Sequence, residues 1–160
     1  MKSKIRGVAI GKYATTVLLV FYIIILMATI SGSNRAFEEV SAPLIRTLEN
    51  TDLVEVNGQG FRHVYGINPA DLEGVVMFTN TFSLSAEEVL LIQVSHAGQI
   101  NDVVQAIEES LLARRQNFAG VAPEEVRLID NAQLTVRGDY IFLAISPRAT
   151  ELRRIFLDSL

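Results

Sequence analysis

Two histidines, three glutamate doublets and one Arg-Gly-Asp tripeptide are the residues of this chain whose types suggest chemistry. A metal site asks for two or more His, Cys or carboxylate groups converging, for example a pair at i, i+4 on one helix face. His63 and His96 have no partner at that spacing, and Asp102 is the acid nearest His96 downstream. Both read as surface or loop histidines. Ser95 precedes His96 directly, which does not build a nucleophile–base dyad, and no Gly-x-Ser-x-Gly elbow occurs. Glu87-Glu88, Glu108-Glu109 and Glu124-Glu125 resemble paired acid–base carboxylates. Neighbouring side chains on a helix or strand diverge, so the doublets read as solvated faces. Arg137-Gly138-Asp139 falls where a hairpin needs a glycine at positive φ, which explains it without adhesion. No glycine-rich phosphate loop follows any apolar run. No catalytic residue, metal or cofactor is assigned.

What remains is a candidate interaction surface. Phe118-Ala119-Gly120-Val121-Ala122-Pro123 is an apolar, glycine- and proline-punctuated loop between a helical and an extended pattern. Loops of this kind bind when a rigid scaffold holds them; the alternative is that Phe118 and Val121 tuck under the sheet. His63, Tyr65 and Arg115 are the polar groups around which a small-ligand pocket would form, if the fold brings them together.

Composition narrows the partners. Lys2, Lys4, Arg6 and Lys12 precede the first acid, Glu38, and all ten later basic residues are arginines set against all 18 acids. From Arg35 onward the chain therefore carries −8, a charge that phosphate backbones and anionic lipid head groups repel. Nucleic acid is not an expected partner. The absence of cysteine removes disulfides, thiolate metal sites and cysteine lipidation.

Tyr13 to Asn34 holds no charged side chain, and Val17 to Ile30 reads VLLVFYIIILMATI. Twenty-two helical residues span roughly 33 Å, enough for a hydrocarbon core of about 30 Å. Ten of them are Val, Leu, Ile or Phe, together worth about −3 to −6 kcal/mol of insertion free energy. The flanking basic cluster keeps the N-terminus cytoplasmic, so the domain is expected to face outward. A cleaved signal peptide ending near Ser31-Gly32-Ser33 is the alternative. The expected organisation is a basic cytoplasmic tail (1–12), a transmembrane anchor or signal peptide (13–33), a juxtamembrane helix and connector (34–60) and an extracytoplasmic domain (61–160).

Phe37, Val40, Leu44, Ile45 and Leu48 recur at helical spacing, with Pro43 predicting either a kink or a helix restarting at Ser41. A short helix carries Phe61, Val64 and Tyr65 to Gly66, and Asn68-Pro69 caps a turn. Strands are predicted over Val75–Thr79, Val89–Val94, Leu128–Val136 and Tyr140–Ile145, with Ser85 to Glu88 a tight turn into the second. A helix over 99–117 has Ile100, Val103, Val104, Ile107 and Leu111 inward and Glu108, Glu109, Arg114 and Arg115 on its wet side. Ser146-Pro147 opens a last helix that packs Leu152, Ile155 and Phe156. The order β-β-α-β-β-α predicts an α+β domain: a mainly antiparallel four-stranded sheet, two layers, with helices on one face.

The run Tyr65-Gly66-Ile67-Asn68-Pro69-Ala70-Asp71-Leu72-Glu73, the Ser85–Glu88 turn, Arg115 through Phe118 to Ala122-Pro123-Glu124, and Gly138 with Tyr140 carry a resemblance. Over roughly Phe61 to Ser146 the chain resembles the bacterial domain of unknown function 4358 family, whose members come mostly from Firmicutes and place one domain after an export or anchor segment. The resemblance implies an extracytoplasmic position and brings no chemistry. Many members are lipoproteins; without a cysteine this chain departs from them, and anchoring falls to the apolar helix. The expected function is a membrane-anchored, non-enzymatic module that binds another envelope component, with a small-ligand sensor as the alternative and a cryptic hydrolase behind it.

Overall fold

The structure, a computed structural model, describes residues 36–82 and 84–160. Helix α1 (Phe37–Leu48) leads to strand β1 (Leu53–Glu55), helix α2 (Gly58–Tyr65), a 3-10 turn at Pro69–Asp71, and strands β2 (Leu72–Asn80) and β3 (Glu88–Val94). A second 3-10 turn, Ala97–Gln99, opens α3 (Ile100–Phe118); α4 (Pro123–Asp130), β4 (Gln133–Arg137), β5 (Tyr140–Ile145) and α5 (Ala149–Ser159) complete the chain. Five strands form one sheet in the order β1-β2-β3-β5-β4, and every pairing is antiparallel.

The α+β class and the antiparallel sheet match the sequence reading, but the sheet has five strands, not four. The addition is β1, three residues pairing Leu53 with Asn80 and Glu55 with Phe78. Three residues are too few for a period-2 pattern to show. The two-layer expectation also gives way. Residues of α1 and α5 (Val40, Leu44, Leu48, Leu152, Phe156) bury one face of the sheet with Val89, Leu91 and Phe142. Residues of α2, α3 and α4 (Phe61, Tyr65, Val103, Ile107, Ile129) bury the other with Leu90, Ile92, Ile141 and Leu143. Every residue of β3 and β5 is buried, as a strand covered on both faces requires.

Residues 36–60, within the span expected as a juxtamembrane helix and connector, supply core through Val40, Leu44, Leu48 and Leu53. Helix α1 runs unbroken through Pro43. Its first aromatic, Phe37, stacks on Tyr140 with ring centroids 6.5 Å apart, and a Cβ at Gly74 would overlap the Phe37 ring. Among the other expectations, Tyr140–Ile145 stands, and the helix expected over 99–117 runs from Ile100 to Phe118. Gly66 caps α2 at φ 71°, and Asn68 accepts from the Ala70 amide before Pro69. Gly138, at φ 60°, makes the β4–β5 turn. Leu128 to Asp130 is helical rather than extended: Pro123 fixes the first position of α4, and Glu124 and Glu125 complement its N-terminal dipole. Among the described residues no helix is long and apolar enough to cross a membrane. The expected anchor, 13–33, lies outside the described residues.

Candidate functional site

Glu88 is the first residue of the central strand and is 0% exposed. It shares strand parity with Leu90 and Ile92, so it points into the face covered by α2, α3 and α4. A carboxylate there is tolerated only with partners. The Tyr65 hydroxyl, from the last turn of α2, donates to Glu88 Oε1. Arg114 Nη2, from the penultimate turn of α3, meets Oε2 at 2.5 Å. Each carboxylate oxygen has one donor, and three elements are pinned at one buried point.

The electrostatics follow from this burial. Desolvation, reinforced by the Glu88 charge, holds the Tyr65 phenol well above its ordinary value of 10. Burial alone would disfavour the Arg114 cation, but the facing Glu88 outweighs that and raises its pKa. Tyr65 is therefore a locked donor rather than a nucleophile near neutrality. A substrate could reach Glu88 only by displacing Tyr65 or Arg114.

Tyr140, on the opposite face, is pushed up to about 12 by desolvation and by the carboxylates of Asp139, Glu38 and Glu39. Tyr65 and Tyr140 are the only tyrosines from residue 36 onward. An unfolded phenol ionises near 10, so above that pH the unfolded chain releases protons the folded one keeps. Stability is then level below about pH 10 and falls as pH rises toward 12. In a Y13F/Y22F background, the phenolate ultraviolet band is expected to grow in one cooperative step together with loss of helical circular dichroism. Gradual ionisation of a folded chain would contradict these assignments.

The residues singled out from the sequence are dispersed. Tyr65 is in the buried cluster, but its arginine is Arg114, not Arg115; the placement of Arg114 on the wet side of α3 is corrected. Arg115 pairs instead with Asp130 at 2.7 Å on the surface. His63 is exposed on α2, whereas Tyr65 is buried against Glu88. His96 caps the Ala97–Gln99 turn. Among the described residues, no group of three His, Asp or Glu side chains is arranged to hold a metal. A cavity of about 460 Å³ lies elsewhere, along Pro147, Arg148, Thr150, Glu151 and Arg154, where Arg148 and Glu151 pair at 2.8 Å. The glutamate doublets diverge as strand and helix geometry requires. Glu87 accepts from Ser146 at 2.7 Å while Glu88 turns inward, and Glu125 accepts the Ala86 amide at 2.7 Å while Glu124 stays exposed.

The 118–123 loop divides. Phe118 packs against the core, Pro123 starts α4, and Val121 is 69% exposed. It has company that sequence reading did not supply: Val54, Phe82, Leu84 and Leu112 are 52–70% exposed as well. Val54 sits opposite Thr79, one residue from the end of β2, and Phe82 and Leu84 lie in the β2–β3 connection. Glu125 ties that connection to the loop bearing Val121. Leu112 precedes Arg114, which reaches the first residue of β3. These five side chains therefore belong to one end of the sheet. The described chain begins at the other, where Phe37 covers Gly74 and Tyr140.

The family model for the domain of unknown function 4358 matches residues 46–146, from α1 through the end of β5. No curated protein and no solved structure matches the chain. With most of its length matched from within α1 to Ser146, the chain belongs to the domain of unknown function 4358 family.

Proposed function

We propose that this protein is a membrane-anchored, non-enzymatic interaction module. Residues 13–33 cross the cytoplasmic membrane with the basic tail inside, and the domain outside docks another envelope protein through the end of the sheet bearing Phe82, Leu84, Leu112, Val121 and Val54. The clustering of these side chains at one end carries the reading. Single exposed apolar residues are ordinary on a protein surface, whereas several of them toward one end of a sheet suit docking. The nine residues of β2 put that end about 30 Å from the start of the described chain.

The buried Tyr65–Glu88–Arg114 cluster supports the reading from the other side. It fastens α2 and α3 to the central strand beneath the apolar end, and a rigid base lowers the ordering cost of docking. Crosslinking of the full-length protein in intact membranes, with mass spectrometry of what co-purifies, tests the proposal. A reproducible protein partner is expected, and the F82S/V121S variant should lose it while its unfolding transition stays in place. A partner retained by that variant would overturn the assignment to this surface.

A further inference from the structure

Gln93 and Asp139 form a polar pair on the face of the sheet opposite Glu88. Gln93 is 8% exposed, and its Nε2 donates to Asp139 Oδ2 at 2.8 Å. Among the described residues, Gln93 Oε1 and Asp139 Oδ1 have no donor, although both atoms are buried. Reversing the Gln93 amide brings no relief, because its oxygen would then face the carboxylate. Buried acceptors left unpaired favour any conformation that hydrates them. Phe37 covers this pair. In register, Gln93 lies between Gly74 of β2 and Tyr140 of β5, and residues directly opposite share a face. The Phe37 ring fills the space over Gly74 and stacks on Tyr140, so it spans the row with Gln93 in its middle.

Little else holds the start of α1 in place. Phe37 is only half-buried, Ala36 gives the helix no side-chain cap, and Pro43 has no amide to offer the Glu39 carbonyl. Firm packing begins at Val40, which is 0% exposed. We infer that the first turn of α1 is a latch. It opens between Glu39 and Val40, lifting Phe37 and admitting water to Gln93 and Asp139, while Val40 to Leu48 stays packed. Hydration of the two acceptors offsets the apolar contact that Phe37 gives up. The chain before residue 36 joins the domain through this turn, so opening frees the domain to swivel about its own leading end. The inference is independent of the docking reading, because Phe37 and the apolar residues lie at opposite ends of the sheet.

Hydrogen–deuterium exchange of the full-length protein in nanodiscs, over a series of low urea concentrations, tests the latch. Amides of Val40 to Ala42 are expected to exchange through a local opening that hardly responds to urea, whereas those of Leu44 to Leu48 follow global unfolding. Ordinary fraying of an uncapped helix gives the same pattern, and Asp139→Asn separates the two. That change keeps an acceptor for Gln93 Nε2 and turns the unpaired oxygen into an amide donor for Gln93 Oε1. Both the latch and global unfolding hydrate the pair, so D139N should slow exchange at 40–42 and at 44–48 alike, by roughly tenfold. The comparison is made in about 1 M salt, which screens the charge lost beside Glu38 and Glu39. In an F37A background, where water already reaches the pair, D139N should slow neither. Slowing at 44–48 alone would mean that the turn frays without uncovering the pair, and slowing nowhere that the pair is not short of donors. Exchange at 40–42 that follows urea as steeply as the core would mean that no local opening occurs. Each of these results overturns the latch.

Discussion

Replacing Glu88 with alanine is expected to destabilise the domain by about 3–5 kcal/mol, the loss typical of removing one partner from a buried ion pair. The side chain is 0% exposed, so nothing in solvent replaces it. Its removal strands the Arg114 guanidinium, whose side chain is 22% exposed, and leaves the buried Tyr65 hydroxyl without its acceptor. Domains are stable by only about 5–15 kcal/mol, so E88A should shift the urea midpoint far or prevent folding outright. Replacing all three groups together, as Y65F/E88L/R114M, should recover most of the loss, because no buried charge is then left unpaired. A triple variant no more stable than E88A would mean that Glu88 acts through something other than this pairing. Tyr65→Phe alone should cost less, since it removes one hydrogen bond and leaves the Glu88–Arg114 pair intact.

A fragment starting at residue 61 is expected not to fold, whereas residues 36–160 should unfold in one cooperative transition. Val40, Leu44 and Leu48 of α1 are 0%, 0% and 1% exposed. At about 1.5–3 kcal/mol for each buried aliphatic side chain, their loss is roughly 5–9 kcal/mol, comparable to the whole stability of a domain. The fragment would also uncover Val89, Leu91 and Phe142 on the central strands and remove β1 from the edge of β2. Circular dichroism with a denaturant series distinguishes the outcomes. A cooperative transition in 61–160 would show that α1 merely decorates a self-sufficient sheet.

Much of this fold was legible in the sequence because local chemistry agrees with it. Gly66, Asn68-Pro69 and Gly138 each sit where a cap or turn demands that residue type, and Tyr140–Ile145 is apolar throughout because both its faces are covered. That continuous run, with Val89–Val94, carries the pattern of strands covered on both faces, whereas the element order β-β-α-β-β-α alone suggests two layers. Strand β1 was hidden because its three residues take their conformation from β2 rather than from a pattern of their own.

The buried cluster left a readable signal. Glu88 has the parity of Leu90 and Ile92, and Arg114 continues the stripe of Val103, Ile107 and Leu111 at helical spacing. Two opposite charges, each on an apolar face, are candidates to find one another. Doublet composition obscured this: Arg114-Arg115 and Glu87-Glu88 look like solvated pairs, although only one member of each is. Of the apolar end, Val121 was legible as a loop residue. Phe82, Leu84, Leu112 and Val54 were not, since three-dimensional topology alone gathers four separate elements there.

Photo-crosslinking residues placed singly at positions 82, 121 and 137 of the full-length protein, illuminated in intact membranes, separate docking of a partner protein from contact with lipid. Arg137 ends β4 at the opposite end of the sheet from Phe82 and Val121. The same protein adduct is expected at 82 and 121 and none at 137. Lipid adducts at 82 and 121, or equal protein adducts at all three positions, would contradict docking by this surface.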